Sequence, residues 1–95
     1  MQLTKIIKDH NTQFIDVRST LEFSGGHIEG AKNIPLDQLP FRISEIEETK
    51  QPIVFYCLSG GRSGQAVSFL KQKGFENIYN GGGFHQVLTI KNSKA

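Results

Sequence analysis

The sequence predicts an α/β domain: a mainly parallel sheet of four or five strands, with helices on both faces. Three observations predict it. Short β-rich runs alternate with short helical patterns, the order that produces parallel strands joined by helical crossovers. The run Pro52–Cys57 is continuously apolar after its proline, as a central parallel strand covered on both sides has to be. The chain has 95 residues, 37% of them hydrophobic and 21% charged. That fits one domain, residues 1–95, able to bury roughly two-thirds of its unfolded surface without metals or disulfides.

The elements follow in order. Leu3–Asp9 is a first helix, with Leu3, Ile6 and Ile7 at helical spacing. Phe14–Val17 is a short strand. Ser19–Phe23 is a helical turn, with Glu22 three residues after Ser19 in capping-box spacing, and Gly25–Gly26 ends it. Ala31–Ile34 is a short strand closed by Pro35. Leu36–Glu48 carries Leu36, Leu39, Ile43 and Ile46 on one face, and Pro40 divides it into a turn and a helix. Ser63–Lys73 is the strongest helix, stopped by Gly74. Glu76–Tyr79 is a last strand. Gly81–Gly83 turns the chain into a final helix, Phe84–Ile90.

The formal net charge is +2, with basic residues spread along the chain and Lys91 and Lys94 forming a weakly basic end. This excludes a nucleic-acid stripe and mildly favours small anions. The apolar runs fall far short of the ~20 residues of a membrane span. The polar beginning shows no signal-peptide pattern, so the expectation is a cytoplasmic domain without membrane contact.

One cysteine, Cys57, excludes an intramolecular disulfide and a multi-cysteine zinc site. A lone cysteine is by default an inert core thiol. The stretch Cys57-Leu58-Ser59-Gly60-Gly61-Arg62-Ser63 overturns that default. The thiol lies at the carboxyl end of the central strand, where open α/β sheets bind ligands. Gly60 and Gly61 let the backbone curl through φ > 0 with its N–H groups turned inward, and Ser63 is placed as the cap of the following helix. A helix N-terminus and Arg62 complete an anion cradle that holds the sulfur as thiolate, the nucleophilic form.

Two chemistries use this design, attack on phosphorus and attack on a sulfane sulfur. Cysteine phosphatases place five residues between cysteine and arginine; here there are four. The tighter cup favours a single sulfur atom. A phosphatase also needs a general acid, for which Asp16 and Asp37 are the candidates. Of the other polar groups, Asp16 and Arg18 flank a strand end, where an ion pair, Arg18 with Glu22, is expected. His27 is read as structural, and His10 and His85 as surface residues. Gly81–Gly83 lacks the lysine of a phosphate loop. Leu58 and Phe84 are placed as an apolar rim.

Three segments together resemble the single-domain rhodaneses, the thiosulfate sulfurtransferase family. They are Phe14-Ile15-Asp16-Val17-Arg18 with Glu22-Phe23 and Gly26–Pro35; Cys57–Ser63; and Gly74-Phe75 with Asn77–Tyr79 and Gly82-Gly83. One departure is plain: Phe84–Val87 lacks the tryptophan that the family often carries there. The resemblance implies a rhodanese-like fold and a persulfide on Cys57. It implies loop N–H donors from Leu58 to Ser63, and Arg62 holding an anionic donor such as thiosulfate. The acceptor would be cyanide, a thiol or a protein cysteine. No metal or organic cofactor is implied. A carrier or sensor that holds the persulfide without turnover is the alternative, and a cysteine phosphatase or arsenate reductase the more distant one.

Overall fold

The computed structural model describes residues 2–93; Lys94 lies outside them. The chain order is α1 (Gln2–Lys8), β1 (Gln13–Asp16), α2 (Thr20–Ser24), β2 (Lys32–Asn33), a 3-10 segment (Leu36–Phe41), α3 (Ile43–Glu47), β3 (Ile53–Cys57), α4 (Gly61–Gln72), β4 (Ile78–Gly83) and α5 (Phe84–Asn92). The four strands form one parallel sheet in the order β2-β1-β3-β4. The fold class is the one expected, at the lower of the two strand counts.

The alternation of side chains along β3 builds two cores, one on each face of the sheet. Ile53, Phe55 and Cys57 point to one face, with Ala66 and Leu70 of α4, Ile46 of α3 and Leu39 of the 3-10 segment. Val54 and Tyr56 point to the other, with Ile7 of α1 and Val87 of α5. Every residue of β3 is buried. That is why the strand reads as a continuous apolar run.

Local chemistry sets the element ends. The Ser19 side chain accepts from the Glu22 N–H, and the Glu22 carboxylate accepts from the Ser19 N–H, so the capping box is complete. Pro40 sits inside the 3-10 segment rather than in a regular helix. Helix α5 forms without the tryptophan; Gln86 reaches back to accept from the Gly83 N–H at 3.3 Å.

Most boundaries move by a residue or two, and two of the differences bear on the site. Helix α4 begins at Gly61 with Gly60 as its N-cap, so Ser63 lies inside the first turn and is not the cap. Of the two loop glycines only Gly60 takes a positive φ, +101°. The second difference is β4. It does not stop at Tyr79 but runs through Gly81–Gly83, pairing Gly82 with Tyr56 and Gly83 with Cys57, with a register shift between Phe55 and Tyr56. The glycines are the end of a strand, not a turn into the helix. A Cβ on Gly81 would meet Val54 Cγ1 at 2.6 Å, and one on Gly83 would collide with the Leu58 carbonyl oxygen. The missing side chains let β4 lie directly under the loop that follows Cys57.

Candidate active site

Strand β3 ends at Cys57, and the chain curls back through Leu58–Gly60 into α4. Gly60 donates its N–H to Cys57 Sγ at 3.0 Å, and Ser63 does so at 3.4 Å. The Ser63 hydroxyl lies 3.4 Å from the same sulfur. The thiol is buried. Burial pushes its pKa up. The hydrogen bonds of the Ser63 hydroxyl and of the Ser63 and Gly60 N–H groups outweigh that and bring it below the ordinary thiol value. The arrangement stabilises negative charge on a sulfur through preorganised donors.

The six loop residues therefore divide. Gly60 and Ser63 supply the two backbone N–H groups closest to Sγ. Leu58 is half-exposed beside the cup. Gly61 opens the helix. Phe84, the other residue placed on the rim, packs on Tyr56, ring centroids 6.0 Å apart, and under the Arg18 guanidinium at 4.8 Å.

Arg62 does not stand free over the sulfur. Its guanidinium donates to both oxygens of Glu22, at 2.8 and 3.1 Å. The same hydrogen bonds from Arg62 lower the Glu22 carboxyl to about 2. The expected Arg18–Glu22 pair is thus replaced by two others. Arg18 pairs with the buried Asp16, Nη2 to Oδ2 at 2.7 Å and Nε to Oδ1 at 3.0 Å. A tight turn after β1 lays Arg18 back on Asp16 and leaves Glu22 facing α4. Beside Arg62 a cavity of about 360 Å³ is lined by Val17, Ser19, Pro35, Leu36 and Asp37.

The histidines stay out of the cup. His27 is exposed, stacks on Phe23 at 3.7 Å and meets the Phe23 carbonyl through Nδ1 at 2.9 Å. His10 and His85 are exposed. Among the described residues no group of three or more His, Cys, Asp or Glu side chains comes together to hold a metal ion. No helix there is long and apolar enough to cross a membrane.

One residue of the cup escaped the sequence reading. The Asn80 side chain, from β4, accepts the Ser63 hydroxyl at 2.7 Å and donates to the Gly60 carbonyl at 3.2 Å. Its signal in the sequence was only its place just before three glycines.

A parallel α/β domain that ends its central strand on one thiol, with backbone N–H donors from the following loop and helix start turned onto the sulfur, defines the class of protein. The chain belongs to the rhodanese-like domain family, whose model matches residues 1–88. It is 52% identical over 73 residues to the Bacillus subtilis protein YqhL, covering 76% of this chain and 57% of that protein. It is 34% identical over 84 residues to the tRNA uridine(34) hydroxylase of Yersinia pestis, covering 83% of this chain and 24% of that enzyme. The chain thus spans little more than half of the first relative and about a quarter of the second. Among solved structures, an Escherichia coli rhodanese with anions superposes with a TM-score of 0.72 at 33% identity, covering 79% of this chain and 89% of that one.

Proposed function

We propose that this domain is a sulfurtransferase of the thiosulfate type, working through a persulfide on Cys57. The Cys57 thiolate attacks the outer sulfur of an anionic donor such as thiosulfate. The Cys57–sulfur bond forms, the donor's sulfur–sulfur bond breaks, and sulfite leaves with the electron pair. The Cys57 persulfide then gives its outer sulfur to cyanide, a small thiol or a protein cysteine, and the thiolate returns. Charge balances in both steps and no cofactor takes part. The observation that carries the reading is the convergence of the Gly60 and Ser63 N–H groups on one sulfur. Those donors serve a thiolate and a persulfide alike.

Arg62 is the group we assign to the donor anion. A dianionic donor reaches its guanidinium by competing with the Glu22 carboxylate, which already holds it in two hydrogen bonds. A thiol that must return to its reduced form each cycle fits a reducing compartment such as the cytoplasm.

The test is intact-protein mass after incubation with thiosulfate, again after cyanide, with Cys57→Ser alongside. The expected result is a gain of one sulfur atom, removed by cyanide and absent in the variant. An unchanged mass with thiosulfate and with a persulfide donor, on a thiol that still alkylates, overturns the reading.

A further inference from the structure

The Ser63 hydroxyl has one proton and two neighbours that want it. Asn80 Oδ1 is 2.7 Å away and Cys57 Sγ is 3.4 Å away. The orientation of the Asn80 amide is fixed by its other contacts. Nδ2 faces the Gly60 carbonyl at 3.2 Å, and Oδ1 accepts the Gly82 N–H at 3.0 Å. Oδ1 is therefore an acceptor only, and the short bond from Ser63 takes the hydroxyl proton. Toward the sulfur, Ser63 Oγ then presents a lone pair. That geometry suits a thiol, whose S–H donates to Oγ. It opposes a thiolate, which needs the hydroxyl to swing from Asn80 onto Sγ.

We propose that Asn80 is a positioning residue that competes with Cys57 for the Ser63 hydroxyl proton, so that ionisation of the thiol and rotation of the Ser63 hydroxyl occur together. On ionisation the S–H proton leaves to water. The hydroxyl turns to donate to Sγ, and Asn80 Oδ1 keeps only the Gly82 N–H. The charged groups around the cup are Arg62 with Glu22 on α2, Asp16 with Arg18 at the end of β1, and Asp37, which lines the cavity beside Arg62. The first four are held in two ion pairs, and thiolate absorbance reads Cys57 directly. The inference concerns the resting thiol and stands independently of sulfur transfer.

The experiment is thiolate absorbance against pH, with the tyrosinate background subtracted by a Cys57→Ser control, for the wild type, Asn80→Ala, Ser63→Ala and the double variant. Removing the competitor frees the hydroxyl for the sulfur. The expected midpoint in Asn80→Ala is therefore lower by about half a unit to one unit, and Ser63→Ala raises the midpoint more in the Asn80→Ala background than in the wild type. A midpoint that stays or rises in Asn80→Ala, or a Ser63→Ala shift no larger in that background, overturns the proposal and leaves Asn80 a brace for the loop. In the wild type the Asn80 side-chain carbonyl carbon should move upfield with the Cys57 midpoint as it loses its hydroxyl donor. A carbonyl resonance that does not follow the thiol also overturns it.

Discussion

At the scale of single residues, Arg62 is the group whose surroundings set its behaviour. It lies at the start of α4, yet both of its terminal guanidinium nitrogens bond Glu22. An anion that binds Arg62 exchanges one carboxylate for another charge. Glu22→Gln weakens the incumbent, so the KM for thiosulfate is expected to fall several-fold in a steady-state assay. Stability should change by less than about 1 kcal/mol, because the pair is part-exposed. Arg62→Ala should raise KM about tenfold or more, the worth of a charge-assisted hydrogen bond. The pH behaviour follows from Glu22, whose carboxyl is lowered to about 2 by the hydrogen bonds from Arg62. Its contribution to stability is fully present above the unfolded carboxyl value of ~4.3 and is lost as pH falls through about 2. The Glu22 charge is therefore constant across the neutral range. Cys57, whose pKa is lowered, behaves in the same sense: its contribution is complete above the unfolded thiol value of ~8.5 and declines as pH falls through the folded one. A pH profile of donor attack that rises toward its plateau below the pKa of a free thiol is the expected signature of Cys57, and one that rises only above it contradicts the donor cup.

At the scale of elements, the loop after β3 and the end of β4 form one unit, and their glycines are not equivalent. Gly60 needs its φ of +101°, and a Cβ there would also meet Gly82 Cα at 3.3 Å. Gly83 has the Leu58 carbonyl where a Cβ would go. Gly61 has open space and an ordinary φ. Gly83→Ala is expected to lift the loop, lengthen the Gly60 N–H contact to sulfur, cost roughly 1–3 kcal/mol in urea unfolding, and raise the thiol midpoint. Gly61→Ala, on the first turn of α4, should leave stability unchanged or raise it by up to about 1 kcal/mol. Equal effects at the two positions would contradict the packing of β4 under the loop. The same region marks the limit of what the chain's pattern reveals. The strand, glycine loop and helix around Cys57 were legible because apolar run, breaker and helical face follow each other locally. So was the Ser19–Glu22 box, a contact within one turn. The end of β4 was not, because three residues without side chains carry no strand periodicity and look like a turn. The Arg62–Glu22 pair joins positions 40 residues apart, and the Asn80 contacts cross from β4 to α4. Only the assembled sheet brings these partners together.

At the scale of the whole molecule, two cores on opposite faces of a four-stranded sheet have to be held in register, and one buried ion pair ties several of the parts. Asp16 is fully buried and Arg18 nearly so. The Arg18 guanidinium bonds Asp16, donates to the Gly26 carbonyl at 2.7 Å, and lies over the Phe84 ring at the start of α5. Asn33 of β2 donates to the Asp16 and Arg18 carbonyls at 2.9 and 3.0 Å. The end of β1, the segment before β2 and α5 thus meet at one guanidinium. Removing it strands a carboxylate in a dry interior. Arg18→Ala is expected to cost roughly 3–5 kcal/mol, a large part of the 5–15 kcal/mol typical of a domain. Replacing both partners with neutral groups avoids the unpaired charge, so Asp16→Asn combined with Arg18→Met should be clearly more stable than Arg18→Ala alone. Urea unfolding of the two variants decides it. A loss below about 1 kcal/mol in Arg18→Ala would mean that the apolar packing of the two faces holds β1 and α5 together without the pair. A double variant no better than the single one would mean that the bond to the Gly26 carbonyl and the stacking on Phe84, rather than the partnered charge, make Arg18 the tie.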